Sequence, residues 1–212
     1  MTPTLASPES AGPPLTRDPE FLKLWAGQAV SLFGSLVSRT ALPLTAVLLL
    51  NASPAQVAAL AACDMAPGLA VGLFAGALAD RVRRRPLLIA ADLARAALLC
   101  VVPLAAWAGT LRVEHLYAAS VLLGAFSTLF DVAYGAYLPT LVGPARVADG
   151  NAKLAATASA AEVGAFGVAG WLVQWFGGPI AVLIDAASFL VSAASLALIR
   201  RPEPPPGASA PP

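Results

Sequence analysis

The chain has 212 residues, of which 58% are hydrophobic and only 12% charged, with a mean hydropathy of +0.75. That is well above the roughly 45–50% apolar content of a water-soluble domain, so an ordinary soluble core is excluded. The net charge of +1 hides a positional bias, with basic residues gathered in short connections between apolar runs, which points to a membrane and away from nucleic acid as the partner.

Residues 1–20 are rich in Pro, Ser and Thr and carry Glu9, Asp18 and Glu20. They lack the ordered basic start, short apolar stretch and cleavage site of a secretory signal, and are expected to form a disordered cytoplasmic tail. Residues 21–200 then hold apolar runs at 24–50, 55–79, 87–108, 116–142, 154–176 and 180–199. Each meets the requirement of about 20 residues for crossing a hydrocarbon core as a helix. The expectation is an all-α membrane protein with six transmembrane helices in one bundle. Breakers fall between the runs, at Asn51 to Pro54, Pro86, Gly109-Thr110, Gly143-Pro144 and Gly177-Gly178-Pro179. Pro43, Pro67, Pro103 and Pro139 lie inside runs, where neighbouring helices satisfy the freed carbonyls. Residues 201–212 are Pro-rich and read as a second cytoplasmic tail or the start of a central linker. Cys63 and Cys100 lie within apolar runs and behave there as small hydrophobes.

Orientation follows from the basic residues. Arg17, Lys23, Arg81, Arg83, Arg84, Arg85, Arg146, Lys153, Arg200 and Arg201 fall on one side of the alternating spans, and Arg112 alone on the other. Positive charge is retained on the cytoplasmic side, so both termini are expected there, in a multi-pass protein of the cytoplasmic (inner) membrane.

Charges inside a span cost about 2.5–3.5 kcal/mol each on insertion scales and call for a reason. Asp64, Asp131 and Glu162 lie near mid-membrane by residue count, and Arg39 somewhat to the outer side of it. An acid and an arginine at that depth can bind the polar part of a substrate, or exchange a proton where desolvation favours the neutral acid. The other reading is a permanent pair of Arg39 with Asp131 or Asp64 that locks the bundle. Asp92 and Arg95, three residues apart on one helix face, are expected to pair structurally, with Arg95 reaching toward the headgroups. Asp185 lies near the outer boundary and suggests no role. The only histidine, His115, is in an outer loop, no Ser/His pair falls within a span, and no His or Cys cluster fits a metal. No enzyme, metal or cofactor is expected, although counting alone leaves open an acid-only site using Asp64 and Asp131.

Gly76, Leu78, Asp80, Arg81, Arg84, Arg85 and Leu88 fall on the pattern G-x-L-x-D-R-x-x-R-R-x-x-L, which resembles the loop motif between the second and third spans of the major facilitator superfamily. Further resemblance is carried by Leu24-Trp25-Ala26-Gly27-Gln28 with Leu32-Phe33-Gly34, by Phe130-Asp131-Val132-Ala133-Tyr134, and by Asn151-Ala152-Lys153-Leu154. From Asp18 to Pro204 the chain is similar to the amino-terminal half of such a transporter, in the enterobactin-exporter-like and macrolide-efflux-like branch.

The resemblance implies a bundle of two inverted three-helix repeats. It would face a second six-helix bundle, supplied by a missing C-terminal half, a separate chain or a second copy. It further implies secondary-active, proton-coupled efflux of an amphipathic small molecule such as a drug or siderophore, with Arg39 and Asp131 on cavity-lining spans. Asp80 would contact the facing half, while Arg81, Arg84 and Arg85 would engage helix ends and anionic membrane lipid. The alternative is a non-transporting six-span protein that binds or regulates a full transporter. Two departures stand out. Arg83 occupies a place where the family usually has glycine, adding charge without preventing the turn. Span five carries Gly164, Gly167 and Gly170 without the Gly-Pro pair of many antiporters, which weakens the case for proton coupling and leaves a smooth strip for close helix packing.

Overall fold

The structure, a computed structural model, describes residues 14–203, apart from the side chains of Leu69, Leu73, Asp80 and Phe166. The helix starts and stops follow local chemistry. Helix α1 (Pro19–Leu50) opens behind Asp18, whose carboxylate accepts from the backbone N–H of Glu20 at 3.1 Å and of Phe21 at 3.4 Å. Two otherwise orphaned donors are thereby satisfied, and Pro19 sits where its missing N–H costs nothing. The helix ends at Asn51 in the left-handed conformation, φ 51°. Helix α2 (Pro54–Arg81) starts with a reciprocal cap, Ser53 N–H donating to Gln56 Oε1 at 2.8 Å and Gln56 N–H to Ser53 Oγ at 3.3 Å. Helices α3 (Arg84–Trp107), α4 (Val113–Val142), α5 (Val147–Phe176) and α6 (Gly178–Ala197) follow. Gly143 and Gly177 end α4 and α5 at φ 82° and 81°, a region that favours glycine.

All four internal prolines lie inside helices. Five helices are long and apolar enough to span a membrane as they stand, and α5, bent by 45° between Ala165 and Gly167, brings the number to six when its two parts are counted as one span. The bend falls in the Gly164 to Gly170 stretch, where glycines resist bending least.

Helix α1 packs on α5 and α6, α2 on α4, and α3 on α4 and α6. Exchanging α1 with α4, α2 with α5 and α3 with α6 maps these contacts onto themselves. The core falls into two clusters. One holds Val37, Leu99, Val102, Leu116, Val182 and Phe189; the other, toward the end where residues 14–23 and 199–203 lie, holds Phe21, Leu88, Phe130, Tyr137, Leu141 and Leu196. Glycine sets the closest helix approaches. A Cβ on Gly27 would come within 2.8 Å of Ser195 Cβ, and one on Gly34 within 2.6 Å of Asp185 Oδ1. One on Gly124 would overlap the backbone carbonyl oxygen of Asp64.

At the end that holds residues 14–23, basic side chains cap the exposed carbonyls of helix C-termini, where the helix dipole favours positive charge. Arg85 Nε donates to Leu196 O at 2.7 Å and its Nη2 to Ala197 O; Lys23 Nζ donates to Leu198 O at 3.0 Å. Arg146 Nε donates to Val142 O at 2.9 Å. Arg201 bonds Leu141 O and both carboxylate oxygens of Asp18, at 3.3 and 3.1 Å. Glu203 in turn accepts from the first N–H groups of α3, Arg84 at 2.6 Å and Arg85 at 3.2 Å. The segment after α6 is thus fastened to α1, α3 and α4. Arg112 lies at the opposite end, where Tyr117 Oη donates to Gln56 O at 3.2 Å.

Candidate functional site

A cavity of about 660 Å³ opens between α1, α2, α4 and α6. Its wall carries Arg39 from α1, Asp64 from α2, Asp131 from α4 and Asp185 from α6. Leu60 and Ser120 also line it, within two turns of the starts of α2 and α4, so it reaches from mid-bundle toward the end away from residues 14–23.

The close glycine contacts build this wall. With no side chain at Gly34, α6 comes near enough to α1 for Asp185 to reach the cavity's edge, and Gly124 lets the Asp64 turn of α2 lie against α4. Asp185 is 2% exposed. Its Oδ1 accepts from Ser188 Oγ at 3.0 Å, and Ser38 of α1 faces it. Arg39 and Asp131 are exposed and Asp64 half-buried. Among the described residues Arg39 makes no salt bridge with either acid, although its charge acts on Asp131. The locked pair that was the alternative reading is not formed.

Arg95 lies behind this wall. It is 5% exposed and bonds Asp92, which is fully buried, one turn away on α3. Its guanidinium is held between the rings of Phe130 and Phe189, 4.3 and 4.2 Å from their centroids. Phe130 belongs to one core cluster and Phe189 to the other, so the cation joins them. Arg95 therefore does not reach toward the headgroups as its position in α3 had implied. Two aromatic faces and a carboxylate compensate its charge internally. Its field also acts on Asp131 and Asp185.

The remaining sequence candidates lie elsewhere. Glu162 is on an exposed face of α5 beside Val163, which is 86% exposed. Among the described residues Gly164, Gly167 and Gly170 have nothing within 4 Å of an added Cβ, and neither does Gly76, so none of those residues packs on that strip. In the α2–α3 turn, Arg84 Nη1 donates to Thr140 Oγ1 of α4 at 3.0 Å, Arg85 caps α6, and Arg81 is exposed. The Asp80 side chain lies outside the described residues.

Sequence reasoning missed Asp185 and the Arg95 sandwich. The available signal for Asp185 was the polar face it shares with Ser188, Ser192 and Ser195, one stripe at helical spacing. Chemically the cavity offers three carboxylates, one guanidinium and several hydroxyls in an apolar frame, suited to binding a polar group and exchanging a proton. Among the described residues no group of three His, Cys, Asp or Glu could hold a metal ion.

The family model of the Major Facilitator Superfamily matches residues 24–212. No curated protein matches the chain.

Proposed function

That the chain belongs to the Major Facilitator Superfamily, whose members carry out membrane transport, is the premise from which we propose that it supplies one six-helix half of a proton-coupled exporter of amphipathic small molecules. The observation that carries this reading is the exposure of Arg39, Asp131 and Glu162 on the bundle's surface. Each lies at least roughly 16 Å along its helix from the nearer end. Charges at that depth face protein or a water-filled cavity, not lipid. A second six-helix bundle, whether a further half, a separate chain or a second copy, would close the cavity over Arg39 and Asp131, and Glu162 on α5 would need protein cover of its own.

The contact pattern that survives exchange of α1–α3 with α4–α6 supports two inverted three-helix repeats, the build that lets one bundle rock against another. Three carboxylates against one guanidinium at the cavity wall favour a cationic amphipath such as a drug over an anionic siderophore, and offer places for the counter-moving proton. Asp131 is the first proton-site candidate, since it is a carboxylate on the cavity wall about 16 Å from the nearer end of α4. The end that gathers Lys23, Arg84, Arg85, Arg146 and Arg201 would face the cytosol, in the inner membrane. There Arg84 and Arg85 would hold the α2–α3 turn against α4 and α6 while Asp80 addresses the second bundle.

The test is transport of a cationic fluorescent dye in proteoliposomes under an imposed proton gradient, with the chain alone and with a companion bundle. Gradient-dependent movement is expected, falling at least tenfold in Asp131→Asn while Glu114→Gln, at the start of α4, retains it. A protein that is inert in every combination, yet co-purifies with an intact transporter, would replace this reading with a regulatory one.

A further inference from the structure

We propose that the groove between the α2–α3 turn and the exit of α6 binds an anionic phospholipid, Arg83 and Arg200 holding its phosphate and Ile89 and Leu93 seating an acyl chain. A cavity of about 620 Å³ lies there, lined by Arg83, Arg85, Arg200, Arg201 and Glu203 around Pro86, Ile89, Ala90 and Leu93.

Its charges are not equally available. Glu203 is committed to the backbone N–H groups of Arg84 and Arg85. Arg85 is spent on the carbonyls of Leu196 and Ala197, and Arg201 on Asp18 and the carbonyl of Leu141. Arg83 and Arg200 remain, both exposed, and neither guanidinium has a hydrogen-bond or ion-pair partner among the described residues. The groove thus presents, among the described residues, two uncommitted planar forks beside two whose donors are already engaged, and a guanidinium fork matches phosphate oxygens pairwise.

The floor decides between a lipid and a soluble phosphate. Ile89 and Leu93 lie one turn apart on α3, and Leu93 is 48% exposed. It is roughly 13 Å along the helix from Arg84 at 1.5 Å per residue, which is hydrocarbon depth when the arginines lie at the headgroups. The same helix face continues upward through Val101 and Leu104, 48% and 60% exposed. A free anion would leave this apolar track unused, whereas a two-chain lipid covers it while its phosphate meets the arginines. Arg83 stands where the family loop motif usually has glycine, so the site belongs to this chain and not to the general motif. The assignment needs only that the bundle lie in a bilayer, and its test is independent of any transport assay.

Delipidated protein in neutral detergent would be titrated with phosphatidylglycerol, phosphatidylcholine or inorganic phosphate, reading bound lipid by native mass spectrometry and the unfolding midpoint in parallel. Phosphatidylglycerol should bind about tenfold more tightly than phosphatidylcholine and raise the midpoint. Arg83→Gln with Arg200→Gln should abolish the preference, while Arg112→Gln at the opposite end keeps it. Both substituted arginines are exposed, so an unchanged midpoint without lipid will confirm the fold, and either single variant suffices should the double one fail to fold. Equal affinity for the two lipids, a preference undiminished in the variants, or full displacement of lipid by millimolar inorganic phosphate would each overturn the assignment.

Discussion

Arg95 shows how a charge is made tolerable in an apolar bundle. Its guanidinium is sandwiched by Phe130 and Phe189 and bonded to Asp92, so removing it exposes two rings to a void and leaves a buried carboxylate without its partner. Breaking a buried pair from one side costs about 3–5 kcal/mol, while removing both partners is often near neutral. Arg95→Gln should therefore lower the unfolding midpoint in detergent sharply, and Arg95→Gln with Asp92→Asn should recover more than half of the loss. Lysine at Arg95 should rescue little, because a point-like ammonium cannot lie flat between two aromatic faces. A double variant as unstable as the single one would show that the ring contacts, not the ion pair, carry the stabilisation.

Among elements, two kinds of glycine are distinguished by what they face. Gly34 is closed on by Asp185 and Ser188, while the Gly164, Gly167 and Gly170 strip of α5 faces nothing among the described residues. Overpacking a tight contact costs typically 1–3 kcal/mol, so Gly34→Ala should destabilise the isolated bundle by about that much. Gly167→Leu should leave its unfolding free energy within about 0.5 kcal/mol of the parent. If a second bundle seats on α5, Gly167→Leu should nevertheless weaken assembly, read as mass in detergent. The same contrast explains what was legible in the sequence. Long apolar runs and the breakers between them make the six long helices readable, and mid-run charge marks Arg39, Asp64 and Asp131, which line the cavity. Residue count along a span gives depth but not facing, so Glu162 looked equivalent to Asp131 although it lies on a different face from the cavity. Asp185 looked peripheral because it lies only about 10 Å into α6, and the cavity extends toward that end. Three-residue glycine spacing marked a packing strip, but the glycines that seat helices within this chain are isolated ones at crossings, a property of pairs of helices that no single segment reveals.

At the scale of the whole molecule, the asymmetry of charge between the two ends is the feature with the largest consequence. Residues far apart in sequence converge at one end, with Asp18, Arg146 and Arg201 in one cluster and Arg84, Arg85 and Glu203 in another. The other end carries Arg112 as the sole basic residue of its connections. Short loops rich in Lys and Arg stay on the cytoplasmic side during insertion, so the orientation proposed above would draw on the same side chains that satisfy the exposed carbonyls of α4 and α6. Orientation can be read with a membrane-impermeant maleimide once Cys63 and Cys100 are replaced by alanine. Thr110→Cys, in the exposed α3–α4 connection, should be labelled from outside intact cells. Ala145→Cys, exposed between α4 and α5 at the basic end, should be labelled only after the membrane is opened. Labelling of Ala145→Cys in intact cells would invert the bundle and place the arginine groove, the capped helix ends and the segment after α6 on the outer face.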